Sequence, residues 1–368
     1  MIIFLNDVFF LYFSSKTVKM NDPCNLLFDF DDVLIEPATL SKIKSRSEIN
    51  SRNIWNMLPL MTAPMDTVIS QNNFHLFTNN GILPVLPRIP NPTKEWIDTN
   101  NFLSYSLQDF EKIFLKDKIY VQDGDRIMAL IDVANGHMGL LYDLAKEAKT
   151  KYGYSMCLMV GNVANPKTFK EYCKIGVDLV RIGIGNGNGC LTTVQTGVGY
   201  PMASLIEECH DIKVHNEYRT EIVADGGFKK FSDIIKALAL GADYVMLGSI
   251  LNKCLESAGE TTKENGEVVN QLSTESKEMF HAELPLYKTF RGMSTKEVQK
   301  SWGKEDLTTS EGVVRRNKVE YTLEGWVRNF EDYLRSAMSY TGKKELHHFI
   351  GGVTYNKITQ NSFRRFDK

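Results

Sequence analysis

The stretch VDLVRIGIGNGNGC, residues 177–190, combines a strand and a loop from which the fold of the chain can be predicted. Residues 177–182 form a short apolar run of the length expected for a buried strand. Four glycines follow within residues 183–189, and they allow the backbone to adopt positive φ and to approach a ligand closely. The loop ends at Cys190, two positions before the hydroxyl of Thr192. We therefore expect a ligand-binding loop at the carboxyl end of a buried strand.

Short apolar runs of the same kind recur along the chain, and helix-length segments separate most of them. With residues 177–182, the predicted strands are residues 58–63, 81–86, 126–131, 155–160, 220–224, 243–247 and 288–290. Each run ends in glycine or polar residues. Met138 to Tyr152 and Ser232 to Leu240 have helical periodicity, and Gly241 follows the second segment as a C-cap would.

Strands that are apolar on both faces and alternate with helices indicate a parallel sheet. Eight of them in one series predict an α/β fold, a (β/α)8 TIM barrel, with the chemistry at the carboxyl ends of the strands. The alternative is a doubly wound open sheet, which would require a topological switch point. A single series of eight strands fits the barrel better.

Three segments interrupt the alternation of strands and helices. Residues 92–119 are predicted to be helical, residues 254–287 to form a polar hairpin or mobile arm, and residues 294–318 to form a flap. The aromatic anchors expected in the first segment are Trp96, Phe102 and Phe110. Residues 1–19 are an extension predicted to lie outside the fold, since their broken apolar runs match neither a membrane span nor a secretory signal. Residues 20–368 are then a single barrel domain.

Composition limits the classes of partner. The chain has 368 residues, of which 43% are apolar and 24% charged, and this is enough for one large core. The net charge is −2, so neither nucleic acid nor a membrane is an expected partner. The six cysteines show no CxxC spacing, which argues against zinc and disulfides and for a reducing, cytoplasmic location.

Residues 183–192, followed by TGVGYP at residues 196–201, resemble the active-site loop of the IMP dehydrogenase and GMP reductase family. NLLFDFDDVLIE at residues 25–36 is similar to the opening segment of that family, and the resemblance extends from about Phe28 to the C-terminal region. It implies a (β/α)8 barrel that binds a purine nucleotide and forms a homotetramer. Residues 92–119 leave no room for the regulatory domain that IMP dehydrogenases often carry there.

Two motifs discriminate within the family. DVANG at residues 132–136 and the Ser-Glu-Gly motif at residues 310–312 resemble GMP reductases. The flap is short, and it lacks the Arg-Tyr pair that activates water in IMP dehydrogenases. The resemblance therefore implies NADPH-dependent reductive deamination of GMP to IMP, by way of a thioimidate on the cysteine. The alternatives are an IMP dehydrogenase without its regulatory domain, which converts IMP and NAD to XMP, and a non-catalytic nucleotide-binding barrel.

The resemblance also implies roles for individual residues. The implied catalytic residues are Cys190, Thr192 and Glu311. The implied nucleotide contacts are Met65, Asp225, Gly226, Gly227, Gly248, Ser249, Gly292, Met293, Ser294, Ser310 and Gly312. The implied NADPH contacts are Ser45, Arg46, Arg88, Asp132, Val133, Ala134, Ile184, Gly185, Ser339, Tyr340, Thr341 and Gly342. The implied ligands of a monovalent cation, K⁺, are Gly185, Gly187 and Cys190.

Several of these residues have simpler interpretations. Most cysteines of intracellular chains are small buried hydrophobes, although the flexible loop favours a reactive thiolate for Cys190. Asp132 is of a residue type that commonly caps the helix that follows it. Ser45 and Arg46 lie in a basic, polar run that is typical of a solvated loop. Asp225 suits ribose hydroxyls better than phosphate, because a carboxylate accepts hydrogen bonds.

The chain also departs from the family pattern. Asn186 replaces a proline, and Asn188 replaces a serine that normally touches phosphate. Thr193 replaces an arginine, which argues against the cation site, and Thr308 replaces the arginine that precedes the Ser-Glu-Gly motif in reductases. An altered nucleobase preference is therefore an open alternative.

Overall fold

The computed structural model describes residues 26–97, 101–117, 126–187, 189–293, 295–296 and 312–366. Strands are numbered in chain order from β1 (Val33–Ile35). The central sheet contains β2 (Leu60–Thr62), β3 (Val85–Leu86), β4 (Phe102–Tyr105), β5 (Ile127–Asp132), β6 (Met156–Val163), β7 (Leu179–Ile182), β8 (Glu221–Asp225) and β9 (Tyr244–Leu247). The remaining strands are β10 (Thr261–Lys263), β11 (Val268–Val269), β12 (Leu286–Arg291), β13 (Val314–Lys318) and β14 (Tyr355–Lys357).

The central sheet closes on itself as a parallel barrel. Its strand order is β2-β9-β8-β7-β6-β5-β4-β3, and every paired neighbour is parallel. Hydrogen bonds from Leu83 N to Leu60 O (3.0 Å) and from Thr62 N to Leu83 O (3.1 Å) join the two ends of this order. The predicted TIM barrel is confirmed.

Helices cover the outside of the barrel and follow most of its strands. The longer α-helices are Phe74–Asn79, Gly139–Tyr152, Pro166–Lys174, Met202–His215, Phe231–Leu240, Thr274–His281 and Leu323–Tyr340. Short α-helical turns are Lys94–Ile97, Leu107–Phe110, Thr192–Thr196, Ser249–Asn252, Leu346–Phe349 and Gln360–Phe363, and Glu111–Lys116 is a π-helical turn. Short 3₁₀ turns are Phe30–Asp32, Arg46–Glu48 and Gly153–Ser155. The two helices predicted by periodicity are confirmed, and Gly241 ends the second one in the left-handed region, with φ 117°. No helix in the described ranges is both long and apolar enough to cross a membrane.

The prediction that residues 92–119 are helical was wrong for residues 102–105. Phe102–Tyr105 is the third barrel strand, β4, and all four of its residues are buried. Phe102 packs inside the barrel, whereas Leu103 and Tyr105 pack against the outer layer. A four-residue run buried on both faces has no alternation that would distinguish it from part of a helix, and only pairing with β3 and β5 makes it a strand.

The prediction that residues 288–290 supply the last barrel strand was also wrong. They belong to β12, which pairs antiparallel with β10 and β13 in a separate four-stranded sheet. Buried and half-buried residues alternate along β12, as expected for a sheet with one covered face. Asp225 consequently ends the seventh barrel strand and Gly248 follows the eighth, rather than the sixth and seventh.

The polar arm and the flap both join this second sheet. Within residues 254–287, β10 and β11 form the predicted hairpin, and Thr274–His281 is a helix. The flap ends in β13, whereas residues 297–311 lie outside the described residues. The extension at residues 1–19 also lies outside them, so the proposed domain division stays a prediction.

The inward-facing residues of the barrel form an apolar core that becomes polar at the carboxyl end. Leu179, Val223 and Met246 belong to a buried cluster inside the barrel. Side chains two positions apart on a strand share a face, so Arg181 and Asp225 also point inward, one layer nearer the carboxyl end. This layer is the floor of the candidate site.

Candidate active site

A cavity of about 590 Å³ opens at the carboxyl end of the barrel. Loops after most of the barrel strands line it, together with the end of β12. The residues predicted from sequence that line it are Met65, Arg88, Asp132, Val133, Ala134, Ile184, Gly185, Gly187, Cys190, Thr192, Asp225, Gly226, Gly227, Gly248, Ser249, Gly292 and Met293. The structure therefore brings most of the predicted site residues into one cavity.

Cys190 is the accessible thiol of this cavity. Its side chain is half-buried, and its Sγ donates a hydrogen bond to Thr192 Oγ1 at 3.2 Å. The other cysteines in the described part of the chain are buried, and burial raises the pKa of Cys157 to about 12 and that of Cys173 to about 11. Because the thiolate is the nucleophile, those thiols are unsuited to attack.

Thr193 holds the cysteine loop in its bent form. Its Oγ1 lies 3.0 Å from the carbonyl oxygen of Ile184 and 2.7 Å from that of Val198, to which it donates. Gly185 has φ 78°, and a Cβ there would lie 1.8 Å from the same hydroxyl oxygen. Only glycine fits this approach, so the loop geometry depends on both residues.

The return of the flap, residues 312–313, lies directly against Cys190. Cys190 and Gly312 form an isolated antiparallel bridge, and Val313 N donates to Gly189 O at 3.2 Å. A Cβ on Gly292, at the end of β12, would lie 2.2 Å from Gly189 O. Three glycine backbones thus pack together beside the thiol. The predicted residues Ser294, Ser310 and Glu311 lie outside the described residues.

A buried arginine joins two predicted site carboxylates on the cavity floor. Arg181 Nη1 donates to Asp132 Oδ1 at 2.6 Å, and Nη2 donates to Asp225 Oδ2 at 2.8 Å. Asn162 Nδ2 also donates to Asp225 Oδ2, at 2.7 Å. Burial opposes the charge on Arg181, but the two carboxylates outweigh it and raise the pKa of the guanidinium above its usual value.

The sequence interpretation missed several residues of the cavity. Arg181 carries a signal that could have revealed it, namely a charge in an otherwise apolar strand. Ser106, Leu107 and Gln108 were missed because β4 was not recognised. Asn162 and Phe290 also line the cavity, and neither has a distinctive pattern in the sequence.

The wall proposed for the cofactor contains Arg88, whose Nη2 donates to the backbone oxygen of Asp132 at 2.5 Å. Val133 and Ala134 follow on the same wall. Across the cavity, Gly226 and Gly227 have φ of 87° and 90°, which lets their backbone follow the cysteine loop closely. A Cβ on Gly227 would lie 3.0 Å from Asn186 O.

Two predicted groups of cofactor contacts meet each other away from the cavity. Ala38 N donates to Tyr340 O at 3.0 Å, and Ser41 Oγ donates to Ser339 O at 2.9 Å, so residues 339–342 lie against the segment that leads to Ser45 and Arg46. Neither group belongs to the described residues that line the cavity. Their role in cofactor binding stays a prediction.

The predicted cation ligands lie in the cysteine loop, where a carbonyl group already accepts a hydrogen bond from the backbone of the protein. Gly187 O accepts a hydrogen bond from Cys190 N at 2.9 Å. Among the described residues, no cluster of three His, Cys, Asp or Glu side chains could hold a metal ion. The cation site at Gly185, Gly187 and Cys190 gains no support from this geometry and stays a prediction.

Comparison with known proteins finds a family model and several relatives that are similar to this chain. Residues 116–366 match a family model described as "IMP dehydrogenase / GMP reductase domain". A GMP reductase of Vibrio vulnificus is 28% identical over 363 residues, covering 93% of this chain and 98% of the relative. A GMP reductase of Buchnera aphidicola is 31% identical, and GMP reductase 2 of Homo sapiens is 29% identical. Each of these two alignments covers 90% of this chain and 94% of the relative.

Proposed function

Because this chain belongs to the IMP dehydrogenase / GMP reductase family, which is a family of enzymes, we propose that it is a GMP reductase. The proposed reaction is GMP + NADPH + 2 H⁺ → IMP + NH₄⁺ + NADP⁺. Relatives named GMP reductase align with this chain over nearly their whole length, which supports the assignment. The homotetramer and K⁺ stay predictions from the resemblance, and the cytoplasmic location stays a prediction from the spacing of the cysteines.

The observation that carries the proposal is the half-buried thiol of Cys190 in a cavity large enough for a nucleotide. Pockets for small ligands typically have volumes of roughly 300–1,000 Å³. Glycine backbones approach this cavity from the cysteine loop and from residues 226–227. Backbone N–H groups of this kind can bind a phosphate without adding net charge.

The same cavity fits a nicotinamide. Asp132 is anchored by Arg181 through one carboxylate oxygen and by Arg88 through its backbone, so its carboxylate has a defined direction. A carboxylate is an acceptor for ribose hydroxyls or for a carboxamide N–H. Val133 and Ala134 supply apolar surface for the ring face. When bound, NADPH supplies a hydride to C2 of the purine ring.

The protein residues supply the nucleophile and the protons. The thiol of Cys190 gives up its proton through the hydroxyl of Thr192, to which Sγ is hydrogen-bonded, and the resulting thiolate adds to C2 of GMP while the C2=N3 π electrons move to N3. Thr192, with Glu311 as the resemblance implies, then protonates the 2-amino group, which leaves as ammonia. After reduction at C2, the C–S bond breaks, its electron pair returns to sulfur, and IMP is released.

Substitution of the nucleophile tests this mechanism. We expect Cys190→Ala to lower kcat by about four orders of magnitude or more, because Cys190 supplies the only thiol among the described residues that line the cavity. Calorimetric affinity for GMP should change little, since the sulfur makes only a small part of the nucleotide contact. Cys173→Ala, in the outer helix Pro166–Lys174, is the matched control and should keep its activity. Turnover by Cys190→Ala near the wild-type rate would refute the mechanism.

The substrate is tested by two absorbance assays. GMP with NADPH should consume NADPH, and IMP with NAD should give no NADH. The opposite pattern would assign an IMP dehydrogenase. Nucleotide binding without turnover, and without covalent trapping of Cys190 by a 6-chloropurine nucleotide, would instead assign a non-catalytic barrel.

A further inference from the structure

Arg181 is shared by the two halves of the cavity. Its two terminal nitrogens bind different carboxylates, one on β5 and one on β8. The side chain is 6% exposed, and its Nε has no hydrogen-bond partner within the described residues. A buried charge with an unsatisfied N–H is costly for folding, and therefore calls for an explanation beyond stability.

The two carboxylates face the sites proposed for two different ligands. Asp132 stands on the wall proposed for the nicotinamide, and Asp225 stands beside the glycines proposed for the nucleotide. Both side chains are about 15% exposed and face the cavity. We propose that Arg181 is a positioning residue that holds Asp132 and Asp225 correctly aimed, so that the nucleotide and cofactor sites share one cation. This inference rests on the proposed function.

Charge balance explains why one cation is needed. The group Asp132, Arg181 and Asp225 carries a net charge of −1 when all three are ionised. Without the guanidinium, two carboxylates would share one buried floor with no cation between them, and their negative charges would repel each other. Both ligands carry phosphates, so additional negative charge on the floor would also oppose their binding.

The neighbouring polar groups cannot replace Arg181. Asn162 reaches Asp225 but is neutral, and its second contact is the backbone oxygen of Gly183. Arg88 contacts the backbone oxygen of Asp132, which does not fix the carboxylate charge. Below this layer, the inward-facing residues Met159, Leu179 and Val223 are apolar. Arg181 is thus the cation that contacts both carboxylates in the described part of the floor.

The test is steady-state kinetics of Arg181→Met and Arg181→Lys. Methionine keeps the length of the side chain and removes the charge. We expect Arg181→Met to raise KM for both GMP and NADPH by roughly tenfold or more, because both acceptors lose their alignment. Arg181→Lys keeps the charge and should recover part of both KM values.

Asn162→Ala is the matched control, since Asn162 binds Asp225 and not Asp132. It should raise KM for GMP alone and leave KM for NADPH unchanged. Melting curves establish that each variant is folded, and if Arg181→Met does not fold, Arg181→Lys decides by the same comparison of two KM values. A change in only one KM in Arg181→Met overturns the inference, while GMP reduction by the wild type leaves the proposed function intact. Absence of GMP reduction by the wild type refutes both.

Discussion

Thr193 illustrates how one side chain can support the geometry of an entire loop. Its hydroxyl contacts two carbonyl oxygens, one on each side of Cys190 in the sequence. The family pattern has an arginine at this position, and its replacement argues against a cation site. The structure gives Thr193 a role of its own, because its hydroxyl lies between the carbonyl groups of residues 184 and 198.

We predict that Thr193→Val reduces kcat/KM for GMP by about tenfold, because the loop loses the donor that orients Cys190. Valine keeps the shape of threonine and removes only the hydroxyl, whose hydrogen bond contributes about 1 kcal/mol to stability. Thr150→Val is the matched control, since Thr150 makes a similar bond on an outer helix, to Lys146 O. Equal kinetics for the two variants would show that the hydroxyl of Thr193 is dispensable.

At the scale of elements, the site depends on a contact between three segments that are distant in sequence. The cysteine loop, the end of β12 and the return of the flap meet through glycine backbones. Hydrogen bonds from Gly292 N to Val313 O (3.0 Å) and from Val313 N to Gly189 O (3.2 Å) connect them. The second sheet thereby forms one wall of the cavity, although it is not part of the barrel.

We predict that Gly292→Ala lowers kcat/KM by about 100-fold, because the new methyl group would displace the Gly189 carbonyl and with it Cys190. The barrel should remain folded, so far-UV circular dichroism should be unchanged. Gly139→Ala, where a Cβ meets nothing within 4 Å, is the matched control and should keep its activity. Wild-type kinetics of Gly292→Ala would contradict the close contact between the segments.

At the scale of the whole molecule, the barrel depends on the seam between its first and second strands. Besides the backbone bonds, Thr62 Oγ1 accepts from Val85 N at 2.8 Å and donates to Val85 O at 3.2 Å. Thr62 is completely buried, so water cannot replace these bonds. A threonine side chain therefore helps to close the seam where the backbone pairing is short.

We predict that Thr62→Val lowers the free energy of unfolding by about 1–3 kcal/mol, because Val85 N loses its buried acceptor. Urea denaturation measures this change, and Thr62→Ser, which keeps the hydroxyl, is the control. A valine variant as stable as the wild type would show that the backbone bonds alone close the barrel.

The opposite end of the barrel contains a buried carboxyl group that lowers the stability of the folded protein by an amount that depends on pH. Glu221 faces inward at the start of β8, where burial, followed by the negative charge of Asp243, raises its pKa from 4.5 to about 7. Between these two values the unfolded chain has released the proton and the folded chain retains it. The stability of the wild type therefore falls as pH rises from about 4.5 to about 7.

We predict that Glu221→Gln removes this decrease in stability. The gain in the free energy of unfolding over the wild type should be about 2 kcal/mol larger at about pH 7.5 than at about pH 5. Urea denaturation at the two pH values measures the difference. Glu147→Gln, on the exposed face of an outer helix, should show no such gain. A gain of equal size for Glu221→Gln at both pH values would contradict the titration of this carboxyl.

Local sequence was sufficient for features that depend on neighbouring residues. Most barrel strands, the helices Gly139–Tyr152 and Phe231–Leu240, and a cysteine on a glycine loop at the end of a strand were all predicted. Burial of both strand faces and helical periodicity are properties of a few consecutive side chains, so they can be detected without tertiary information.

Only the tertiary structure decided which segments became partners. β4 became a barrel strand and β12 did not, because each was assigned by pairing with strands elsewhere in the chain. The bonds from Arg181 to Asp132 and Asp225 span 49 and 44 residues. No local pattern encodes such contacts, since they arise only when closure of the barrel brings the inward faces of β5, β7 and β8 together.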